Sequence, residues 1–319
     1  MAYKVVVNTQ ILKDWVDRFL VPIDDPGSRL FHLNILMSLA LIAIWIFFVQ
    51  YNTPHDTQRS KSRLFFEQLK SSVFRKKYWW NRSTRVDYQI YFLNSLLKIF
   101  LFIPFLDFSF RISKTTISIL LNSNQQQTLS LSDSYLSLLI FSILAFVFDD
   151  FLRFFHHYLM HKIPILWKLH RTHHSAKILT PISLYRIHPL ESAMSTVRNS
   201  LSTGVSIGVF IFFFNSQFSI MTIFGINLFG FLFNLLGSNL RHSHIPLSFG
   251  LLEWVFISPK QHQIHHSADP AHYGKNFGVS LTLWDGLIGS LMRSQQVTKK
   301  LHFGLKNHRQ TLKKTLISQ

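Results

Sequence analysis

Residues 136–161 read LSLLIFSILAFVFDDFLRFFHHYLMH. The first thirteen residues are apolar apart from two serines, and the run continues without a break into Asp149, Asp150 and a group of histidines. His157 and His161 are four residues apart, so on a helix they lie one turn apart on the same face. The stretch predicts an apolar helix that carries side chains capable of chemistry at its C-terminal end.

Four further apolar runs accompany this one, and each is long enough to form or enter a bilayer-crossing helix. The chain of 319 residues has a mean hydropathy of +0.19 together with a net charge of +18. Basic loops around apolar spans produce both values at once, whereas a basic nucleic-acid binder lacks long apolar runs. A buried helix in a large soluble core is the alternative for each run. The runs are Phe31–Tyr51, Ile90–Leu106, Leu201–Phe214 and Phe218–Gly237.

The distribution of basic residues predicts a topology. Nine Lys and Arg residues lie between Asn52 and Gln89, but only Arg111 and Lys114 lie between Asp107 and Ser134. Basic loops stay in the cytoplasm, so the first of these loops is expected inside and the second outside. Counting onward places every histidine group on the cytoplasmic face. We therefore expect an all-α fold, namely a polytopic integral-membrane helical bundle with a cytoplasmic histidine-rich helical cap.

The chain is expected to consist of three parts. Residues 1–134 are expected to hold N-terminal membrane helices and the basic cytoplasmic loop, residues 135–292 the catalytic domain, and residues 293–319 a basic tail. Residues 1–30 mix lysines and aspartates without an early apolar core, so we expect no cleavable signal there. Asn215-Ser216-Gln217 is the only link between two apolar runs, which are therefore expected to form an antiparallel hairpin.

The chain has no cysteine, and this absence excludes several kinds of site. Disulfides, thiolate zinc sites, iron–sulfur clusters and cysteine nucleophiles all require a cysteine. Histidine, with 17 copies, is the abundant ligand type. Transition-metal chemistry in this chain must therefore use imidazole and oxygen ligands, which suit iron and zinc.

Thirteen of the histidines lie between His156 and His272, and their spacing carries the prediction. Two H-x-x-H-H strings place three imidazoles each on one helix face, and they join the H-x-x-x-H pair. Eight such histidines are too many for one four-coordinate zinc but enough for two metals with positions open for oxygen or water. The eight are His157, His161, His170, His173, His174, His262, His265 and His266.

The remaining histidines and the acids allow more than one interpretation. His188 and the pair His242 and His244 lie between the main strings, whereas His156 points about 100° away from His157 on a helix. Metal-bound imidazoles usually give their second N–H to a carboxylate or a carbonyl. We expect Asp150 and Glu191 to support the catalytic site in this way, with a solvated acid or a helix cap as the alternative for each.

These residues resemble the fatty acid hydroxylase/sterol desaturase superfamily, and the similarity spans about Leu136 to Leu291. Phe155, Tyr158 and Phe277 depart from residues that the family often has, which leaves the substrate open. The strings that carry the resemblance are Asp150-FLRFFHHYLM-His161, His170-RTHH-Ser175, Arg186-IHPL-Glu191, His242-S-His244, Pro259-KQHQIHH-Ser267, Asn276-F-Gly278 and Trp284-D-Gly286.

The resemblance implies an O₂-dependent di-iron oxidoreductase of membrane lipid metabolism. The eight spaced histidines would ligate two iron ions, with His188 and His244 as accessory metal-site histidines. The substrate would be a sterol or a fatty acyl chain, and the sequence does not separate hydroxylation from desaturation. No nucleotide or haem motif is present, so an external electron donor, a reductase or carrier protein, is implied. The chemistry involves no nucleic acid.

Two functions from other classes compete with this interpretation. A membrane zinc hydrolase would use a metal-bound water and would need a nearby carboxylate as general base. Neither H-x-x-H-H string contains such an acid. A metal transporter would spread its ligands along membrane helices, whereas these histidines collect beyond the helix ends.

Overall fold

The computed structural model describes residues 31–51, 61–123, 135–214 and 220–305. Within these ranges the chain is helical, with no named strand and two isolated bridges, Phe256 to Leu281 and Ser267 to Phe303. The predicted all-α class is thereby confirmed for the described residues. The α-helices are α1 His32–Tyr51, α2 Lys61–Val73, α3 Lys76–Trp79, α4 Arg82–Ser123, α5 Tyr135–Lys162, α6 Pro164–His174, α7 Pro189–Phe214, α8 Ile220–Leu235, α9 Pro259–His265 and α10 Leu283–Leu287.

The predicted apolar runs coincide in large part with the five long helices α1, α4, α5, α7 and α8, although the helix ends differ from the predicted bounds. By length and composition, α1 and α7 are able to cross a membrane. The polytopic arrangement and the cytoplasmic cap stay predictions. Residues 1–30, the link Asn215-Ser216-Gln217 and the tail beyond residue 305 lie outside the described residues.

Helix α7 lies against α4 at close range because its contact face consists of small residues. Ser200, Gly204 and Gly208 follow one another at intervals of four and are buried or packed against α4. A Cβ atom added at Gly204 would lie 2.6 Å from the main-chain oxygen of Ser109, and one at Gly208 would lie 2.8 Å from that of Ser113. Small residues at this spacing let two helix backbones approach each other.

A buried ion pair fixes the segment after α6 against the start of α4. Arg186 Nε donates to Asp87 Oδ1 at 2.6 Å, and both side chains are almost fully buried. The same guanidinium donates to Ser175 Oγ at 3.0 Å and to the main-chain oxygen of Ser83. One guanidinium thus ties the end of the first H-x-x-H-H helix to the N-terminal half of the bundle.

Helix α9, which carries the second H-x-x-H-H string, begins at a well-formed cap. Ser258 Oγ accepts from Gln261 N at 3.2 Å, and Gln261 Oε1 accepts from Ser258 N at 2.9 Å. Pro259 occupies the first helical position, where its missing N–H costs nothing. The reciprocal bonds satisfy two backbone donors and set where the helix begins.

Glu253 lies beneath this cap and is fully buried. Its carboxylate accepts hydrogen bonds from Ser258 Oγ at 2.7 Å, Ser248 Oγ at 2.8 Å and Ser294 N at 2.9 Å. Burial opposes ionisation of Glu253, but these hydrogen bonds outweigh it and lower the pKa of the carboxyl. Three separate segments therefore meet on one ionised carboxylate.

The close approach of α7 to α4 predicts an unequal effect of alanine at two glycines. Gly204→Ala should destabilise the protein by roughly 1–3 kcal/mol, because the added methyl group overpacks the helix contact. Gly230→Ala, where an added Cβ meets nothing within 4 Å, is the matched control and should not lower stability. The readout is the temperature at which the detergent-solubilised protein loses its monodisperse chromatographic peak. Equal losses at both positions would contradict the close packing.

Glu253 predicts a pH-dependent contribution to stability. Its folded-state pKa is depressed, so its stabilisation is present above the unfolded pKa of about 4.3 and is lost as the pH falls through the folded value. Glu253→Gln should therefore lower the unfolding midpoint at pH 7 by an amount that corresponds to about 1.5–3 kcal/mol. The difference in unfolding midpoint between Glu253→Gln and the wild type should become smaller below pH ~4. Glu67→Gln, on an exposed residue of α2, is the control for loss of one charge and should leave the midpoint unchanged.

Candidate metal centre

Four elements bring the clustered histidines together. The C-terminal end of α5 supplies an H-x-x-x-H pair, α6 and α9 supply the H-x-x-H-H strings, and the 3-10 segment Ser238–His242 supplies one histidine at its end. All three α-helices present their histidines near a helix C-terminus. Nine imidazoles gather at this junction, and seven of them belong to residues that are buried.

The nine imidazoles form two adjoining groups, and within each group the candidate ligand atoms lie within 4.8 Å of one another. The ring centres of His174 and His266, one from each group, are 4.4 Å apart. Each H-x-x-H-H string contributes to both groups. Cluster A consists of His157, His161, His170, His174 and His265, and cluster B consists of His173, His242, His262 and His266.

The tautomers in cluster A follow from main-chain contacts. His157 Nδ1 lies 2.7 Å from the carbonyl oxygen of Phe277, and His265 Nδ1 lies 2.8 Å from that of Lys275. A carbonyl only accepts, so each Nδ1 must carry the proton and each Nε2 must present a lone pair. These two Nε2 atoms are 3.1 Å apart and cannot hydrogen-bond to each other. The pair therefore has the arrangement that a shared cation stabilises.

A hydroxyl group sets the tautomer of His242 in cluster B. Ser183 Oγ donates to the main-chain oxygen of Thr180 at 2.7 Å, so it must accept from His242 Nδ1 at 3.0 Å. The lone pair of His242 Nε2 consequently faces His262 Nε2 at 3.0 Å, and His266 Nε2 lies 3.2 Å from the same atom of His262. The Nε2 atoms of His242 and His266 thus both lie within hydrogen-bond distance of His262 Nε2. A single proton on His262 Nε2 could serve only one of these two contacts well.

Burial keeps these imidazoles neutral. Desolvation lowers the pKa of His173, His174, His262 and His266 well below the usual value, and neighbouring histidines lower it further. For His265 the pKa falls to about 3. Neutral imidazole is the form that ligates a metal. The buried Nε2 atoms of His161, His170 and His174 in cluster A have no hydrogen-bond partner, and neither do the buried Nδ1 atoms of His173 and His262 in cluster B. Both clusters therefore offer free nitrogen donors.

The two predicted carboxylates have different partners in the structure. Glu191 Oε1 lies 2.7 Å from His170 Nδ1, and both side chains are buried, so Glu191 supports an imidazole as expected. Asp150 instead accepts from Ser280 N at 2.8 Å, from Leu281 N at 3.1 Å and from the indole of Trp284 at 3.0 Å. Among the described residues, its carboxylate therefore holds a loop in place rather than an imidazole.

That loop, residues 275–285, carries the carbonyl oxygens that orient His157 and His265. Asp285 accepts from Phe277 N at 2.8 Å and from Gly278 N at 2.7 Å. Asn276 adopts a positive φ of 56°, and any Cβ at Gly278 would lie 2.5 Å from the main-chain oxygen of Leu281. Asn and Gly at these positions thus have a steric reason, since Asn tolerates the left-handed region and only Gly fits the tight approach.

The structure places eight of the ten predicted histidines in the two clusters and two outside them. His188 Nδ1 accepts from Leu190 N at 3.2 Å at the start of α7. His244 is exposed and lies edge-on to the ring of Tyr78 at 4.7 Å. His242, which is not among the predicted ligands, occupies cluster B. Its spacing from His244 is the one sequence signal, and that spacing does not say which of the two turns inward.

Comparison with known proteins finds matches for the part of the chain that holds both clusters. Residues 142–290 match the fatty acid hydroxylase family profile. Similar proteins include alkylglycerol monooxygenase of Xenopus tropicalis, 26% identical over 163 residues, which are 51% of this chain and 32% of that protein. An ornithine lipid hydroxylase of Rhizobium tropici is 27% identical over 151 residues, 46% of this chain and 40% of that protein.

The human alkylglycerol monooxygenase is 26% identical over 161 residues, 50% of this chain and 32% of that protein. The similarity thus spans less than half the length of these relatives. No solved structure matches the chain. Both histidine clusters lie inside the matched region. The resemblance predicted from the histidine strings is confirmed: residues 142–290 of this chain match the fatty acid hydroxylase family, and the similar proteins are named lipid hydroxylases and monooxygenases.

Proposed function

We propose that this protein is a membrane-bound, O₂-dependent oxidoreductase that hydroxylates a C–H bond of a lipid at a di-iron centre. The observation that carries the proposal is the pair of adjoining all-histidine clusters, one of which, cluster A, has two lone pairs that face each other at 3.1 Å. The match of residues 142–290 to the fatty acid hydroxylase family and the names of the similar proteins support oxidation of a lipid as the class of reaction.

The donor set fits two iron ions. Cluster A would hold one through five imidazoles and cluster B the other through four. Imidazole suits iron, and five nitrogens at one site exceed the four ligands that a structural zinc takes. Bound iron would pass on electrons from an external donor and would supply open positions at which O₂ is reduced and an unactivated C–H bond is oxidised.

The residues of the chain itself prepare this chemistry. Carbonyl oxygens of Lys275 and Phe277 hold the protons of His265 and His157 at Nδ1, which keeps both Nε2 atoms available. The Glu191 carboxylate orients His170 and makes its ring a stronger donor. The ring of Phe277, which is buried, lies 5.2 Å from that of His161 and excludes water from one side of cluster A.

A zinc hydrolase is not favoured by the same site. Hydrolysis would need a carboxylate beside the metal as general base, but among the described residues both clusters consist of histidine alone. Glu191 has one oxygen engaged by His170. The similar proteins are named monooxygenases and hydroxylases. A metal transporter is also not favoured, because the ligands collect at one junction.

The substrate and setting follow from the relatives and the apolar helices. The similar proteins are named for an alkylglycerol and an ornithine lipid, so hydroxylation of a polar lipid is proposed ahead of desaturation of a sterol or fatty acyl chain. Helices α1 and α7 would anchor the protein in the bilayer. The positive-inside rule supports a cytoplasmic position for the histidine clusters.

Electrons for the reaction would come from another protein. Insertion of one oxygen atom into a C–H bond leaves the second atom of O₂ to be reduced to water, which consumes two electrons and two protons. The sequence carries no nucleotide or haem motif that would supply them. A reductase or a small carrier protein is therefore the proposed donor, and an acidic one would complement the basic cytoplasmic surface.

The two clusters predict how metal content responds to single substitutions. Wild-type protein from iron-supplemented cells should bind about two irons per chain, because the two clusters form separate sites. His265→Ala in cluster A and His173→Ala in cluster B should each lose iron, and the double variant should lose both. The measurement is elemental mass spectrometry of detergent-purified protein. The variants His188→Ala and His244→Ala, which change residues outside the clusters, should retain the iron.

The controls make the assignment falsifiable. Iron lost in His188→Ala or His244→Ala but kept in the double variant would reject the two clusters as the metal centre. Stoichiometric zinc that does not respond to iron supply would favour the hydrolase.

The proposed reaction predicts incorporation of oxygen from O₂ into a lipid. Membranes that contain the wild-type protein are supplied with an alkylglycerol or an ornithine lipid, a reductant system and oxygen-18 gas. A labelled hydroxylated lipid, seen by mass spectrometry and absent with the His173→Ala/His265→Ala variant, is the expected result. Label that enters the lipid from oxygen-18 water instead would exclude an oxygenase, because hydrolysis takes its oxygen from water.

A further inference from the structure

A groove with a volume of about 440 Å³ lies between α10 and the segment that follows it. Trp254 and Arg293 line it together with the side-chain amides of Gln295 and Gln296. Gly286 and Gly289 also line it, and a Cβ added at either glycine would meet nothing within 4 Å. The groove is therefore open and combines an aromatic ring, a cation and amide groups.

Arg293 in this groove has no acidic partner among the described residues. Its guanidinium stacks over the Trp254 ring at 5.1 Å, and one terminal nitrogen donates to the main-chain oxygen of Gly250 at 3.0 Å. Its Nε is buried and has no hydrogen-bond partner. Among the described residues, no carboxylate lies within ion-pair distance of Arg293. A planar guanidinium that lacks a carboxylate partner is suited to bind a phosphate or a carboxylate.

The surface around the groove is strongly apolar. Six aliphatic residues on the 3-10 segment Gly250–Trp254, the following residue, α10 and its C-terminal end are between 47% and 77% exposed. Thr282 N donates to Val255 O at 2.9 Å, so the two segments adjoin, and an exposed apolar patch of this kind marks an interaction surface or a membrane contact. The six are Leu251, Leu252, Val255, Leu283, Leu287 and Ile288.

The patch continues onto the helix that joins the apolar bundle to the metal centre. The ring of Trp284 in α10 lies 5.1 Å from that of Phe151 in α5, which stacks on Phe155 at 6.0 Å. Phe151 and Phe155 are themselves exposed on α5, directly after its long apolar run. Continuity with this helix face identifies the hydrocarbon region and its headgroup boundary as what covers the patch.

We infer that this groove binds the phosphate-bearing headgroup of an anionic membrane lipid, whose chains lie over the six aliphatic residues. Arg293 pairs with the phosphate, and Trp254 occupies the interfacial depth that indoles prefer. The inference rests on the membrane setting of the proposed function but not on its oxidation chemistry.

Hydrogen bonds connect the segment that lines the groove to the loop beside cluster A. Met292 N donates to Asn276 Oδ1 at 2.8 Å, and Asn276 Nδ2 donates back to Met292 O at 3.0 Å. Asn276 lies between Lys275 and Phe277, whose carbonyl oxygens orient His265 and His157. A lipid held at Arg293 therefore lies beside the loop that arranges cluster A.

The absence of cysteine from the chain makes a direct test simple, because a single introduced thiol is the only one to label. A fluorophore on Leu287→Cys is placed in lipid nanodiscs that contain spin-labelled phosphatidylglycerol or, separately, spin-labelled phosphatidylcholine. Quenching by both lipids is expected, whereas a fluorophore on Lys299→Cys, an exposed residue outside the patch, should be quenched little.

The headgroup preference tests Arg293. Phosphatidylglycerol should quench the Leu287→Cys fluorophore more than phosphatidylcholine, by the roughly two- to five-fold local enrichment expected for one cation near the bilayer surface. Arg293→Gln should remove this preference and Arg293→Lys should keep part of it. Lys299→Gln, which removes the same charge elsewhere, should keep all of it.

Each other outcome overturns a defined part of the inference. Absence of quenching at Leu287→Cys would show that the patch does not face lipid. Equal quenching by the two lipids, unchanged in Arg293→Gln, would remove the headgroup site. Loss of the preference on addition of soluble glycerol phosphate would assign the groove to a free phosphate compound. Iron content, measured on the same Arg293→Gln sample and expected to stay unchanged, separates these results from failure of the proposed metal centre.

Discussion

Two nitrogen lone pairs that face each other at 3.1 Å are the contact on which the organisation of this protein depends. His157 and His265 each use their only N–H on a main-chain carbonyl, so neither can donate to the other. Without a cation such a contact is unfavourable, and the imidazoles would turn away if they were free to do so. The surrounding structure holds both rings through these carbonyl groups, so that the two lone pairs point toward one position that a metal ion would occupy.

The few acids of the chain do much of this holding. The sequence has 15 Asp and Glu residues against 33 Lys and Arg, yet Asp87, Asp150, Glu253 and Asp285 are all fully buried. Each accepts hydrogen bonds from a neighbouring segment and so joins two parts of the scaffold. Burying a carboxylate is unfavourable unless its oxygens are hydrogen-bonded, and these four all accept hydrogen bonds. The positive net charge thus coexists with an interior in which buried carboxyl groups join the segments.

The sequence predicted those parts of the site that are local to one helix. The spacing of His170, His173 and His174 determines their common face, and the structure brings all three to the junction. The prediction named His244, whereas the structure brings His242 to the junction, because the outcome depends on a 3-10 segment whose last residue is hydrogen-bonded to Ser183. The five apolar runs likewise located five long helices, while the helix ends depend on caps and tertiary contacts.

The role of Asp150 shows where helical phase alone is insufficient. It lies seven residues before His157 and therefore on the same face of α5, which suggested an imidazole partner. In the structure, however, the main-chain N–H groups of residues 280 and 281 donate to the Asp150 carboxylate. Asp150 consequently acts on His157 through a loop rather than directly, since the same loop presents the Phe277 carbonyl to that histidine. A carboxyl group two turns from a candidate ligand can thus influence the tautomer of that histidine without touching it, and only the tertiary structure shows which of the two arrangements a sequence adopts.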